Sequence, residues 1–360
     1  MATKFLVLPC DGIGPEIVAA SVEVLEAASS RFGLDLTFDY DEVGFPSLEK
    51  YGTTLREDVL ARARSEYDGV ILGTMSHSDY PTPEKGGRNV SAGFRIGLDL
   101  YANVRPARTR PSIPSNMRPG KTMDLVIMRE ATEGFYPDRN MFLGWAELMP
   151  SADMAISLRK ITAFCSNRIA RKAFQLAMKR RRKVTAIHKV NSFHQTDGLF
   201  LREVRKVAEE FPQVTLDDML VDASTAHIVR SPEKFDVICA TNFYGDILSD
   251  LASELSGSIG LAGSILASDT HCCAQAQHGS APDIQNQNRA NPVSMILSCS
   301  MLLQWLGEHR RLPSLEQAAR AIDKAVDDVL GDPASHTPDL GGNLGTREFA
   351  QLVADAVRAR

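Results

Sequence analysis

Apolar positions fall into two alternating patterns along this chain: short solid runs, and stretches in which apolar residues return with a helical period. Phe5-Leu-Val-Leu8, Asp68-Gly-Val-Ile-Leu-Gly73, Met123-Asp-Leu-Val-Ile-Met128, Val184-Thr-Ala-Ile-His188 and Phe235-Asp-Val-Ile-Cys-Ala240 are the solid runs, and they read as strands. Between them lie helical patterns. Pro15 opens one in which Ile17, Val18, Val22 and Leu25 share a face, and Gly33 ends it. Strand and helix in alternation predict an α/β architecture. Two helices, residues 292–306 and 314–330, close the chain, the second begun by the capping pattern Ser314-Leu-Glu-Gln317. The Pro- and Arg-rich residues 105–119 and the Gly-rich residues 257–268 read as surface connections.

With 360 residues and 44% hydrophobic content the chain can bury a large core, as two domains or one large α/β unit. A net charge of -5 with both signs interspersed provides no basic stripe, which argues against nucleic acid or a membrane surface as partner. Small anionic ligands remain. The first apolar run is too short for a signal peptide, and no run is long enough to span a bilayer. Six cysteines without a CxxC pair, two of them the adjacent Cys272 and Cys273, lead us to expect reduced thiols and a cytoplasmic protein.

Candidate chemistry gathers after the strand that ends at Ala240. Asp246, Asp250 and Glu254 stand four residues apart, which puts them on one helix face, opposite the apolar Ile247, Leu248, Leu251 and Leu255. Like charges in a row repel. A hard divalent cation, Mg2+ or Mn2+, would relieve them, although a solvated acidic face has the same spacing. Arg95, Arg105 and Arg129 could grip carboxylates bidentately if they converge; each alone is equally a surface ion-pair partner. Tyr136 and Lys189 are candidate proton-transfer groups, Lys189 because it ends a strand and a partly desolvated amine there can act as a base. Their alternatives are a packing tyrosine and a solvated strand end.

Gly12 and Gly14 in Asp11-Gly-Ile-Gly-Pro-Glu16 do not make a dinucleotide fingerprint, because the third glycine is missing and Pro15 opens the helix. A later loop, His278-Gly279-Ser280-Ala281-Pro-Asp283, suits a nucleotide better. Its small residues allow close backbone approach, Asn291 and Pro292 suit the start of the following helix, and Asp283 could accept ribose hydroxyls while repelling a 2'-phosphate, favouring NAD over NADP.

Taken in order, Asp11–Glu16, Asp99-Leu-Tyr-Ala-Asn-Val-Arg-Pro106, Arg129-Glu-Ala-Thr-Glu-Gly134, Gly245-Asp-Ile-Leu-Ser-Asp-Leu251, His278–Ile284 and Asp339-Leu-Gly-Gly342 resemble the β-decarboxylating dehydrogenases that act on isopropylmalate, isocitrate, homoisocitrate and tartrate or D-malate. The resemblance covers nearly the whole chain. It implies a non-Rossmann two-domain α/β fold with a discontinuous nucleotide-binding domain, residues 1–99 and 257–360, and a dimerisation and metal/substrate domain, residues 100–256. It implies NAD and Mg2+ or Mn2+ as cofactors, and a homodimer with shared active sites. Asp246 and Asp250 would hold the metal with Asp222, donated together with Lys189 by the partner subunit. Arg95, Arg105 and Arg129 would bind the malate carboxylates, Lys189 would act as base and Tyr136 as acid. Glu254 drops out as a bystander.

Two positions depart from the family pattern: Ala131 stands where Asn is common, and Gln275 where Glu is usual. The substrate-selecting stretch, residues 86–94, lacks the leucine pair of isopropylmalate enzymes and has Ala92 where homoisocitrate enzymes place arginine. Arg88, Asn89 or Ser91 could meet a polar substituent instead. The expected reaction is oxidative decarboxylation of a 3-substituted malate, isopropylmalate-like first, with isocitrate, homoisocitrate or tartrate/D-malate as the enzyme alternatives. An inactive regulatory paralogue is the non-enzyme alternative, against which intact Tyr136, Lys189, Asp222, Asp246 and Asp250 argue.

Overall fold

The computed structural model describes residues 2–360, in two compact units. One runs up to Leu98 and resumes at Gly257–Arg360, with Arg110–Pro114 added; the other comprises Asp99–Thr109 and Ser115–Ser256. The added stretch is tied in by Arg110, whose Nε donates to Asp327 at 3.0 Å and whose Nη1 donates to the Leu261 carbonyl at 3.4 Å.

In the first unit Thr3–Leu8 lies between Leu36–Tyr40 and Gly69–Leu72, parallel to both; Cys272–Gln275 continues the parallel set, and Ile265–Ala267 pairs antiparallel with it. The runs are solidly apolar because both faces are covered. Helices Gly14–Phe32, Val293–Arg310, Pro313–Leu330 and Thr346–Arg358 pack on one another. Thr346–Arg358 buries Thr346 and the stripe Phe349, Ala350, Val353, Ala354 and Val357, and turns its charged residues outward, the pattern of a surface helix. Val293–Arg310 is buried on nearly all sides, and its serines are satisfied internally: Ser294 Oγ donates to the Ala262 carbonyl at 2.5 Å and Ser298 Oγ to the Ser294 carbonyl at 2.7 Å.

The second unit orders its strands Ala102–Arg108, Asp124–Glu130, Val237–Ala240, Lys183–His188, Thr215–Leu220, the first pair antiparallel and the rest parallel. Alternate residues feed two cores. Val184, Ala186, Val237 and Cys239 pack with Ile169, Phe174, Phe200 and Val204 of two helices on one face. Leu125, Ile127, Ile187, Ile238 and Ala240 pack with Ile228, Leu248 and Ala252 on the other. A separate hairpin, Glu147–Ser151 with Met154–Ser157, is exposed along its length.

Three expectations change. Residues 105–119 are not simply a surface connection, because their first part belongs to the strand Ala102–Arg108, with Pro106 in register with Val126. Residues 257–268 include the buried strand Ile265–Ala267. The helix expected from Ser314 begins at Pro313, with no side-chain cap; a proline at the first turn presets φ and needs no N–H partner, so the capping pattern is bypassed. Among the described residues no helix is long and apolar enough to cross a membrane, and all six cysteines are free thiols, each buried.

Candidate active site

In the second unit, Asp124–Glu130 and Ala102–Arg108 pair so that Arg129 opposes Asn103 and Arg105 opposes Ile127. Residues two apart share a face, so Arg105 and Arg129 point to the same side of the sheet as Ala107, Leu125 and Ile127. Helix Asn242–Ser256 covers that side. It can approach because residue 245 is glycine: a Cβ there would sit 2.7 Å from both Cβ and Cγ of Arg129. The helix thereby lays Asp246 directly on the two arginines.

Arg129, only 1% exposed, uses its whole guanidinium. Nε donates to Asn242 Oδ1 at 2.9 Å, Nη1 pairs with Asp246, and Nη2 donates to the Tyr136 hydroxyl at 2.9 Å. Tyr136 in turn donates to Asp246 Oδ2 at 2.7 Å. Arg105 Nη1 reaches Asp246 Oδ1 at 3.1 Å, Ser249 Oγ at 2.7 Å and Asp250 Oδ1 at 3.3 Å. Burial first and the charge of Arg129 second push Arg105 down to about 10, so it stays a cation at neutral pH. Ala131 is fully buried, and its carbonyl accepts from Arg139 Nη1 at 3.1 Å, holding that guanidinium 5.0 Å from the Tyr136 ring centre. Asp246, Asp250, Arg105, Arg129 and Tyr136 therefore form one network.

Lys189 and Asp222 form another. Lys189 Nζ lies 2.9 Å from Asp222 Oδ2, so the strand-end lysine has a carboxylate partner, which its hydrogen bond holds below the usual aspartate range. Among the described residues no three His, Cys, Asp or Glu side chains gather as a ligand set.

In the first unit the Gly12-Ile-Gly14 turn serves packing. Gly12 has φ +57°, and a Cβ there would meet the Ser280 carbonyl oxygen at 2.0 Å. Ile13 N–H donates to that carbonyl at 2.8 Å, and the Ser280 hydroxyl is engaged by Ser76 at 2.7 Å, which anchors the late loop rather than presenting Ser280 to a ligand. His278, Gly279 and Ala281 line a cavity of ≈ 490 Å³ with Asn291 and Asp339. His278 is lowered from its ordinary value, by desolvation first, against the opposing bond to the Gly279 carbonyl and the charge of Asp339. Asn291 Oδ1 accepts from Val293 N–H at 3.0 Å and its Nδ2 donates to Asp339 at 2.9 Å, but the helix begins one residue later than expected, with Pro292 and not Asn291 in the cap position. Asp283 is exposed in the short turn Pro282–Ile284 and does not line the cavity. Asp339, to which no role was given from sequence, does; the signal available was its place in Asp339-Leu-Gly-Gly342.

Helix Val90–Gly97 carries Ser91 and the buried Arg95. Asn89 caps it, accepting from Ala92 N–H at 3.0 Å, and Arg88 pairs with Glu57 at 2.6 Å and donates to the Leu55 carbonyl at 3.0 Å. Both side chains thus have structural partners, which leaves Ser91 of the three residues expected to meet substrate. Its hydroxyl lies 3.4 Å from Gln275 Oε1.

The family model described as isocitrate/isopropylmalate dehydrogenase matches residues 4–353. An isocitrate/homoisocitrate dehydrogenase of Thermus thermophilus is 40% identical over 360 residues, all of both chains. A 3-isopropylmalate/3-methylmalate dehydrogenase of Methanocaldococcus jannaschii is 38% identical, over 99% of each. The crystal structure of isocitrate dehydrogenase from Methylococcus capsulatus superposes with a TM-score of 0.86 at 38% identity, covering 99% of each chain. With the ordered motifs and the arginine–aspartate–tyrosine network, these likenesses lead to one conclusion: the chain belongs to the isocitrate/isopropylmalate dehydrogenase family and is a dehydrogenase acting on a hydroxy acid.

Proposed function

We propose that the chain catalyses the NAD-linked, divalent-metal-dependent oxidative decarboxylation of a 3-substituted malate whose substituent is itself polar, as in isocitrate or homoisocitrate. The observation that carries the reading is the single nitrogen of Arg105 within hydrogen-bond reach of both Asp246 and Asp250. Two carboxylates that converge on one cationic nitrogen also suit a cation between them, and an all-oxygen donor set fits Mg2+ or Mn2+. When bound, the metal would polarise the substrate's oxygens and NAD would accept the hydride. Arg95, Arg105 and Arg129 are the proposed partners of the substrate carboxylates. Tyr136, already donating to Asp246, is the proposed acid, and Lys189 the proposed base.

The polar pair Ser91 and Gln275, bonded to each other at 3.4 Å, favours a substituent that can join that hydrogen bonding over a branched alkyl group, which would gain nothing from it. For NAD we propose the loop of His278, Gly279 and Ala281 with Asn291, where Gly279 has open space at its Cβ position and the cavity lies alongside. Asp283 is proposed as the residue that disfavours a 2'-phosphate.

A second copy of the chain is the proposed partner. One chain supplies two carboxylates at Asp246 and Asp250, and its Asp222 is paired with Lys189; a third metal ligand donated by another copy completes the set. The exposed apolar hairpin region offers a surface for that copy, with Phe142 100%, Leu143 79% and Met149 69% exposed. The test is a reaction mixture of purified protein, isocitrate, NAD and Mn2+. NADH and carbon dioxide should form in equal amounts and stop on chelation; NADH formed without metal would contradict the proposal.

A further inference from the structure

Beneath the two networks lies a third that neither uses directly. Asp197, fully buried in the first turn of helix Thr196–Ala208, holds Oδ1 2.5 Å from Arg159 Nη1. Its other oxygen accepts the backbone N–H of Lys189 at 2.5 Å and the hydroxyl of Tyr244 at 3.2 Å. Arg159, whose side chain is 5% exposed, donates to the hydroxyls of Thr196 at 3.3 Å and Thr241 at 3.1 Å. Its guanidinium sits 5.2 Å from the ring centre of Phe135, 5.5 Å from Phe193 and 5.0 Å from Tyr244. Desolvation pushes Tyr244 up to about 12, so its hydroxyl keeps the proton it donates.

These partners are neighbours of the proposed catalytic groups. Phe135 precedes Tyr136; Thr241 and Tyr244 bracket the start of the helix that carries Asp246 and Asp250; Asp197 bonds to Lys189 itself. Stability alone does not explain an ion pair here, because removing two charges from water costs so much that apolar side chains of similar size often serve as well or better. We propose that the Arg159–Asp197 pair is a positioning device: it fixes the main chain at Lys189 and braces the segments that present Tyr136 and Asp246. The inference rests on the reading of Lys189 and Tyr136 as the base and acid.

The experiment compares four variants of the full chain with isocitrate, NAD and Mn2+: Lys189→Met, Tyr244→Phe, Asp197→Asn, and the apolar double replacement Arg159→Met/Asp197→Leu. Lys189→Met should abolish turnover. The double variant should melt cooperatively near the wild-type temperature yet lose kcat on the order of 10²-fold, the scale of a displacement of about 1 Å, with both KM values changed by no more than about twofold. Tyr244→Phe, which keeps the ring over Arg159, should lose about tenfold in kcat by the same argument, and Asp197→Asn should fall between the two. A double variant with wild-type kcat overturns the proposal, as does a Tyr244→Phe or Asp197→Asn protein with wild-type kcat beside an inactive Lys189→Met. Turnover by Lys189→Met would instead remove the base assignment, and the positioning role with it.

Discussion

Tyr136 donates its phenolic proton to Asp246 at 2.7 Å while accepting a bond from Arg129, so the candidate acid and the candidate metal ligand are held by one guanidinium. A cation held where Asp246 and Asp250 converge would draw on Asp246 Oδ1, leaving Oδ2 to the Tyr136 hydroxyl, so the carboxylate would serve both groups at once. Metal and proton donor are thereby linked through a single carboxylate.

Asp246→Asn removes the charge at that junction while preserving its shape. Metal-dependent turnover should vanish, with the melting transition retained, since the Asn oxygen can still accept from Arg129 while its amide nitrogen donates to the Tyr136 hydroxyl. Calorimetric titration with Mn2+ should show the loss of binding; turnover at the wild-type rate would refute the assignment of Asp246 to the metal.

Tyr136→Phe keeps the ring against Arg129 and Arg139, with centres 5.6 and 5.0 Å from the guanidiniums, and removes only the hydroxyl. General acid–base groups contribute about 10²–10⁴-fold, so kcat should fall on that scale while the KM for the hydroxy acid changes little. Steady-state kinetics decides it, and an unaltered kcat would assign the proton to another group.

Gly245→Ala places a methyl 2.7 Å from two carbons of the buried Arg129 side chain. The helix has to shift away from the sheet, at a cost of about 1–3 kcal/mol. Urea unfolding should register the loss, and activity should drop because Asp246 moves with the helix. A variant with wild-type stability would show that the close approach is not required.

If Asp222 and Lys189 serve a partner's site, two inactive chains can repair one another. Tyr136→Phe and Lys189→Met proteins, unfolded together and refolded as a mixture, should recover activity, because a mixed dimer would contain one site with both residues intact. Absence of any recovery, with dimers present by light scattering, would place both residues in the same chain's site.

The alternation of solid apolar runs and helical patterns made the α/β class legible, because strands covered on both faces carry that signature. Asp246 and Asp250 were legible for a similar reason, since a fixed helical spacing after a strand end is written locally. Arg105 was harder to place: Pro106 and the surrounding arginines imitate a surface loop, and only the pairing with Asp124–Glu130 makes the segment a strand. The Arg159–Asp197 pair was not legible at all. Its partners Phe135, Phe193, Thr241 and Tyr244 come from distant parts of the chain, and no local pattern announces a buried ion pair. Arg88 and Asn89 looked free to meet substrate because their partners, Glu57 and the helix that Asn89 caps, depend on how the loop folds.

The reaction and its substrate class are tested together by kcat/KM for isocitrate, homoisocitrate, 3-isopropylmalate, tartrate and D-malate, each with Mn2+ and with NAD or NADP. Isocitrate or homoisocitrate with NAD should give the highest value, reflecting the Ser91–Gln275 pair and Asp283. A clear preference for 3-isopropylmalate would contradict the proposed role of the Ser91–Gln275 pair, a clear preference for NADP would contradict the role of Asp283, and no turnover on any of the five would contradict the proposed reaction.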